Sequence, residues 1–233
     1  MSTESSAVAS SPQVEEAPSG LGLVLATAVS YAVNPLVLPP LVYGLVLAHV
    51  GASARNVVLG AGIGGVFLGV VPLLHVGWMR YRGEIQSLEI RDRRKRTEPF
   101  FVALAATLAA LFAVGALDVR GRRLIAVLLG CHFLNTVLLL GITRWWKISV
   151  HCASVAGALA TLLFVRIHVS GTVLDTTLIG GGVLGVGAVL TLLLLWARVR
   201  SRAHTPEQAT AGTVLGLAAP YVELSLMAPA LGL

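Results

Sequence analysis

Charge is what this chain has least of. Only 12% of its 233 residues are Asp, Glu, Lys or Arg, while 56% are hydrophobic and the mean hydropathy is +0.84. An ordinary soluble domain carries about 25% charged residues, so the composition excludes one and leaves a polytopic membrane protein. Aromatic residues are few, and no continuous basic surface with aromatic platforms can be traced, which argues against a nucleic-acid partner. Cysteine is limited to Cys131 and Cys152. Both fall in apolar runs without metal-ligand spacing and read as small apolar fillers, so neither a metal nor another cofactor is implied. An aspartate-rich metal–diphosphate motif is missing, which disfavours an isoprenoid transferase. Inverted repeats are not evident, which disfavours a transporter for a phosphorylated solute. Residues 1–20 hold no Lys or Arg and so lack the basic start of a secretory signal. Their Ser, Ala, Glu and Pro content predicts a disordered tail.

What is present is a series of apolar runs long enough to cross a bilayer, since a span needs about 20 residues. Seven are expected, giving an all-α, polytopic helical bundle. Two N-terminal spans occupy 21–79. The first, from Leu21 to Val50, carries Asn34, Pro35, Pro39 and Pro40 and is expected to be kinked or broken. The second, Val57–Met79, is rich in glycine, which permits close helix contact. The remainder, 80–233, is expected to form a helical membrane core. It opens with the polar connection Arg80–Glu98. Five spans follow: Pro99–Leu117, Leu124–Trp145, Ile148–Ile167, Val173–Ala197 and Ala209–Leu233. Proline suits the first turn of a helix, as at Pro99.

Three short polar segments interrupt the apolar series: RKRTEP at 94–99, KISVH at 147–151 and RVRSRAHTPEQ at 198–208. Two spans separate the first from the second, and two more separate the second from the third. An even number returns the chain to the same membrane face, so all three are expected to meet at one surface. That face carries 12 Lys and Arg against 5 on the other, and 9 against 5 once Arg96, Arg198 and Lys147 are set aside. The positive-inside rule then places it, with the N-terminus, in the cytoplasm of a multi-pass cell-membrane protein.

Ionisable groups at membrane depth mark functional sites, and these groups suit a phosphate. Arginines supply bidentate, charge-assisted contacts to phosphoryl oxygens. In the third segment Arg198 and His204 are spaced R-x5-H. The Thr205-Pro206 break follows, and Gln208 stands one turn beyond His204, placed to hold its ring. A fixed, neutral imidazole is a competent nucleophile. In the second segment Ser149 is a natural N-cap, and the helix N-terminus it would cap attracts anions. His151 lies in the first turn, close enough to protonate a leaving oxygen. The first segment is a run of cations, Arg91, Arg93, Arg94, Lys95 and Arg96. Such runs also serve as topology signals or headgroup anchors.

The order, shared face and spacing of these residues resemble the type 2 phosphatidic acid phosphatase family, which includes bacterial acid phosphatases and vanadium haloperoxidases. That family shows K-x6-R-P, then P-S-G-H, then S-R-x5-H-x3-D. Arg198 and His204 match the third motif, and Ser149-Val150-His151 matches the end of the second. Arg96 with Pro99 is similar to the R-P end of the first, stretched by two residues. WKISVHCASVAG and ARVRSRAHTPEQATAG also resemble a membrane subgroup of the family that reads KISAH and AHTPAQ at these points. The likeness covers about 90–233, with SYAVNPLVLPP a weaker match to the subgroup's opening span.

The resemblance implies a phosphatase-like helical bundle core over 80–233 and hydrolysis of a lipid or isoprenoid (di)phosphate by in-line transfer without a metal. His204 would be the nucleophile and His151 the acid and base. Arg198 and Arg96 would bind phosphate, with Ser149, Lys147 and either Lys95 or Arg93 contributing. Membrane lipids are the only other partners implied. The sequence departs from the pattern at Glu89, where the first lysine is expected, at Ile148, Val150 and Ala197, and at Gln208, which replaces the orienting aspartate. An amide at that place brings no charge to the histidine. The alternative is therefore a weak or inactive relative that binds an anionic lipid.

Other polar residues have cheaper explanations. His132 and Asn135 are one turn apart and suit helix packing. His75 lies mid-span. Trp145 and Trp146 suit an interfacial belt, and Asn34 suits a cap.

Overall fold

The computed structural model describes residues 20–88, 90, 92–116, 118 and 120–232. The expected tail, but for Gly20, and the first-segment residues Glu89 and Arg91 lie outside them. The described residues form an all-α bundle without strands, and seven of its helical stretches are long and apolar enough to cross a membrane.

The first span is broken where the prolines predict. Helix α1 (Leu21–Ala32) stops at Val33, and a 3₁₀ turn follows over Pro35–Val37. Asn34 caps that turn by accepting the Leu36 N–H at 3.0 Å, so capping is its role. Helix α2 (Leu38–His49) then completes the span. Pro35 and Pro39 lack the N–H groups an uninterrupted helix would use, and the break absorbs that loss.

The second span starts earlier than expected, at Ala54, because Ser53 caps it. Helix α3 (Ala54–Ile63) passes through a π-helical segment, Gly64–Val70, into α4 (Val71–Tyr81). Glycine earns its place here by close approach. A Cβ on Gly64 would sit 3.0 Å from the Tyr43 ring and 3.1 Å from the Pro39 backbone, and one on Gly69 would sit 2.9 Å from the Leu36 carbonyl. The broken first span packs directly onto the π segment for that reason.

After a 3₁₀ turn over Arg93–Arg96 come α5 (Thr97–Ala116), α6 (Arg122–Trp145), α7 (Val150–His168), α8 (Thr177–Arg200) and α9 (Pro206–Leu231). Several expected boundaries shift by a few residues, two of them at prolines. Helix α5 begins at Thr97, with Pro99 inside its first turn. Helix α9 begins at Pro206 rather than Ala209, because Thr205 is its N-cap and proline fits the first helical position. Pro206 therefore starts a helix as well as ending the loop.

Helices α7 and α9 form the most intimate pair. Gly212 and Gly216 face the Ser149 and Ala153 carbonyls, and a Cβ at Gly212 would meet the Ser149 oxygen at 2.5 Å. Small residues four apart let membrane helices approach to backbone contact. The main core gathers Tyr43, Val46 and Leu47 of α2 with Ile125, Leu128 and Leu129 of α6 and Phe164 and Val165 of α7. Trp145 and Trp146 are solvent- or lipid-accessible where α6 ends, as an interfacial belt requires. Cys131 and Cys152 are both free and buried.

At the opposite end of the bundle His49 is fully buried and fastens the α7–α8 connection. Its Nδ1 accepts from the Leu174 N–H at 3.0 Å, which leaves Nε2 to donate to the Val169 carbonyl at 2.8 Å. Asn135 bonds not to His132 but to Glu223 of α9, at 2.6 Å, so it ties α6 to α9. His75 pairs with Glu98 at 3.2 Å.

Candidate functional site

The three polar segments meet at one end of the bundle and are joined by backbone-directed contacts. Arg93 donates to the Arg144 carbonyl at 3.1 Å and Arg96 to the Ile148 carbonyl at 3.3 Å. Lys147 Nζ reaches the Ala203 carbonyl at 2.9 Å, and the Ser149 N–H reaches the Gln208 carbonyl at 3.2 Å. The end of α6 is thus bound to the segment before α5 and to the α8–α9 connection.

A cavity of about 690 Å³ lies beside this junction. Its polar end is formed by Arg96, His151, Arg198, Ser201, Arg202 and His204. Its apolar part runs between α1, α4 and α5, along Leu23, Leu36, Leu73, Val76, Phe100 and Ala103. Among the described residues, three arginines and two histidines face it and no carboxylate lines it. Arg96 is 9% exposed and Arg198 2%. Buried guanidiniums around a common space favour an anion there.

The geometry of the α8–α9 connection sets His204. Arg202 adopts a left-handed backbone with φ 52°, which folds the chain back so that the His204 N–H donates to the Arg198 carbonyl at 3.2 Å. Such a conformation is uncommon outside glycine and costs about 1–3 kcal/mol. Thr205 then caps α9, and Gln208 completes a capping box by returning its side chain to the Thr205 N–H at 3.3 Å. The same Gln208 oxygen lies 3.2 Å from His204 Nδ1.

This double use assigns the proton on the ring. An oxygen that accepts from a backbone N–H cannot be the amide nitrogen, so the side-chain orientation is fixed. Nδ1 must then be the donor, which leaves Nε2 as the unprotonated nitrogen. Burial, and then the charges of Arg198, Arg96 and Lys147, push the His204 pKa from 6.5 down to about 3, against a smaller upward pull from Gln208. The imidazole is neutral at physiological pH. An arriving phosphate would offset the same cations and make the ring more basic.

No protein-family model, curated protein or solved structure matches the chain.

Of the residues singled out in the sequence, Arg96, His151, Arg198 and His204 share the cavity, and Gln208 touches it through His204. The others lie around it. A 3₁₀ helix has about three residues per turn, so side chains three apart eclipse. Arg93 and Arg96 therefore point the same way, Arg93 stopping at the end of α6 and Arg96 reaching further in. Lys95 points elsewhere and donates to the Glu84 carbonyl. Ser149 is fully buried, and its hydroxyl accepts from the Cys152 N–H at 3.4 Å, so it caps α7 and does not line the cavity. Lys147 is a tether and a source of positive field.

Arg202 and the wall formed by α1 were not singled out by sequence reasoning. Arg202 carried no signal beyond its charge. The T-x-x-Q pattern at Thr205–Gln208 is a recognisable capping box and could have shown why glutamine stands there.

Proposed function

We propose that the protein is an integral membrane phosphatase that hydrolyses a lipid phosphate or isoprenoid (di)phosphate through a phosphohistidine. The observation that carries this reading is the state of His204. It is a neutral ring protonated on Nδ1, with Nε2 free, on a cavity shared with Arg96, Arg198 and His151. The motif resemblance points the same way.

In this reading Arg96 and Arg198 hold the non-bridging oxygens, and Arg202 stands beside them. His204 Nε2 attacks phosphorus in line. The phosphorus–oxygen bond to the lipid breaks, its electron pair leaves with that oxygen, and His151, protonated once the phosphate offsets the Arg96 and Arg198 charges, supplies the proton. His151, now neutral, takes a proton from water as the water oxygen attacks the phosphohistidine. Inorganic phosphate and free His204 are released. Positioning and electrostatics account for most of the acceleration in such transfers, and none of these steps needs a metal. The apolar walls from α1, α4 and α5 suit a tail held within the bilayer while the phosphate lies at headgroup level. The excess of Lys and Arg on the site's face favours a cytoplasmic active face in the cell membrane.

The test is phosphate release from phosphatidic acid, phosphatidylglycerol phosphate and isoprenoid diphosphates by purified protein in EDTA, beside His204→Ala. Release by the wild type alone supports the mechanism, and release that survives His204→Ala removes it. One observation favours a second reading, a weak or inactive relative that binds anionic lipid. Gln208 brings no negative charge to the ring. Retained lipid binding with no release from either protein would favour that alternative.

A further inference from the structure

The 3₁₀ turn over Arg93–Arg96 divides its cations between two hollows. Arg96 faces the cavity described above. Arg94 and Lys95 line a separate cleft between α4 and α5, with Met79, Phe101, Val102 and Ala105 beneath them. None of its lining residues is shared with the first cavity.

The level of this cleft is fixed by its surroundings. Trp78 and Tyr81, at the end of α4, are accessible and stack at 5.7 Å, as aromatic side chains do at the headgroup boundary. Phe101 is also accessible, one turn into α5. The mouth of the cleft is therefore cationic at headgroup depth, and its floor is apolar at acyl depth. Two carboxylates, Glu84 and Glu98, also line it. Glu84 is neutralised by Arg82 at 2.8 Å, and Glu98 lies 3.2 Å from His75, so Arg94 and Lys95 leave the mouth with a net positive charge. The Arg94 guanidinium donates to no group among the described residues.

We propose that this cleft binds an anionic phospholipid as a structural or regulatory ligand, distinct from the substrate. Its phosphodiester would lie on Arg94 and Lys95, and an acyl chain would run over Met79, Phe101 and Ala105. Charge complementarity selects an anionic headgroup, and the apolar floor selects a lipid over free phosphate. The proposal does not depend on the phosphatase reading.

Native mass spectrometry of the full chain in neutral detergent, titrated with phosphatidylglycerol, tests it. This lipid is a phosphodiester and is not a substrate for a phosphomonoesterase. A basic residue near a membrane surface contributes about fivefold to binding, so Arg94→Gln with Lys95→Gln should weaken retention about thirtyfold. Ala105→Phe, which fills the floor, should also weaken it. His204→Ala and Arg96→Gln should leave it intact. Inorganic phosphate should not compete. Three results would overturn the proposal: retention unchanged by Arg94→Gln/Lys95→Gln, retention lost in Arg96→Gln instead, or equal retention of phosphatidylcholine. A melting temperature within about a degree of wild type shows that each variant has folded.

Discussion

Replacing Gln208 with glutamate changes one charge and little else. The side chains have the same length and shape, and a carboxylate oxygen can accept from both His204 Nδ1 and the Thr205 N–H, as the amide does at 3.2 and 3.3 Å. A negative charge in the first turn of α9 also favours the helix dipole, so Gln208→Glu should fold as well as wild type. An opposite charge at such a distance raises a pKa by about 1–3 units. His204, held at about 3 in the native protein, should therefore become more basic. In the proposed mechanism positive charge grows on the ring as Nε2 bonds phosphorus. If half has developed in the transition state, the gain is about 0.7–2 kcal/mol, or about threefold to thirtyfold in rate. The assay is single-turnover release of the lipid alcohol with protein in excess, which isolates the first transfer. A rate equal to or below wild type, at unchanged melting temperature, would refute the role given to the ring and its orienting partner.

The free protein should keep His204 neutral well below the ordinary histidine range. Its native pKa of about 3 lies below the unfolded value of about 6.5, so the unfolded chain binds more protons between them. The contribution to stability is complete above about pH 6.5 and is lost as pH falls toward 3. The His204 ring resonance, assigned against His204→Ala, should still report neutral imidazole at pH 5, and a midpoint near 6.5 would contradict this. Arg96→Lys should raise KM by about tenfold or more, because one ammonium cannot replace a fork that reaches the Ile90 and Ile148 carbonyls while facing the cavity. A steady-state titration of substrate measures it. Gly212→Ala should destabilise the protein by about 1–3 kcal/mol, since its Cβ would fall 2.5 Å from the Ser149 carbonyl and push α7 from α9. Thermal unfolding in detergent reads the loss.

Much of the fold could be read from the chain because apolar run length is a strong signal in a membrane protein. The number of spans, the break at Asn34 and Pro35, and the meeting of three polar segments at one end all follow from it. Ser149 and Asn34 could be read as caps because local capping needs only the neighbouring backbone. The contact between His204 and Gln208 was legible for a similar reason, since four residues separate them across a helix start. The resemblance picked Arg96 from the RRKR run, but whether Lys95 or Arg93 accompanies it was not legible. That depends on the local winding of the 3₁₀ turn, which separates Arg96 from Lys95 by about a third of a turn. The left-handed Arg202 and the wall supplied by α1 depend on tertiary packing and left no periodic trace. Gly212 and Gly216 have helical spacing, but only the position of α7 shows what they admit.

In the proposed mechanism His204 becomes covalently phosphorylated. A lipid phosphate with a radiolabelled phosphoryl group, mixed with the protein and quenched in alkali, tests it most directly. Label is expected on the wild-type chain, stable to alkali and lost in acid, with none on His204→Ala. Label retained on His204→Ala, or phosphate release without any labelled chain, would contradict it.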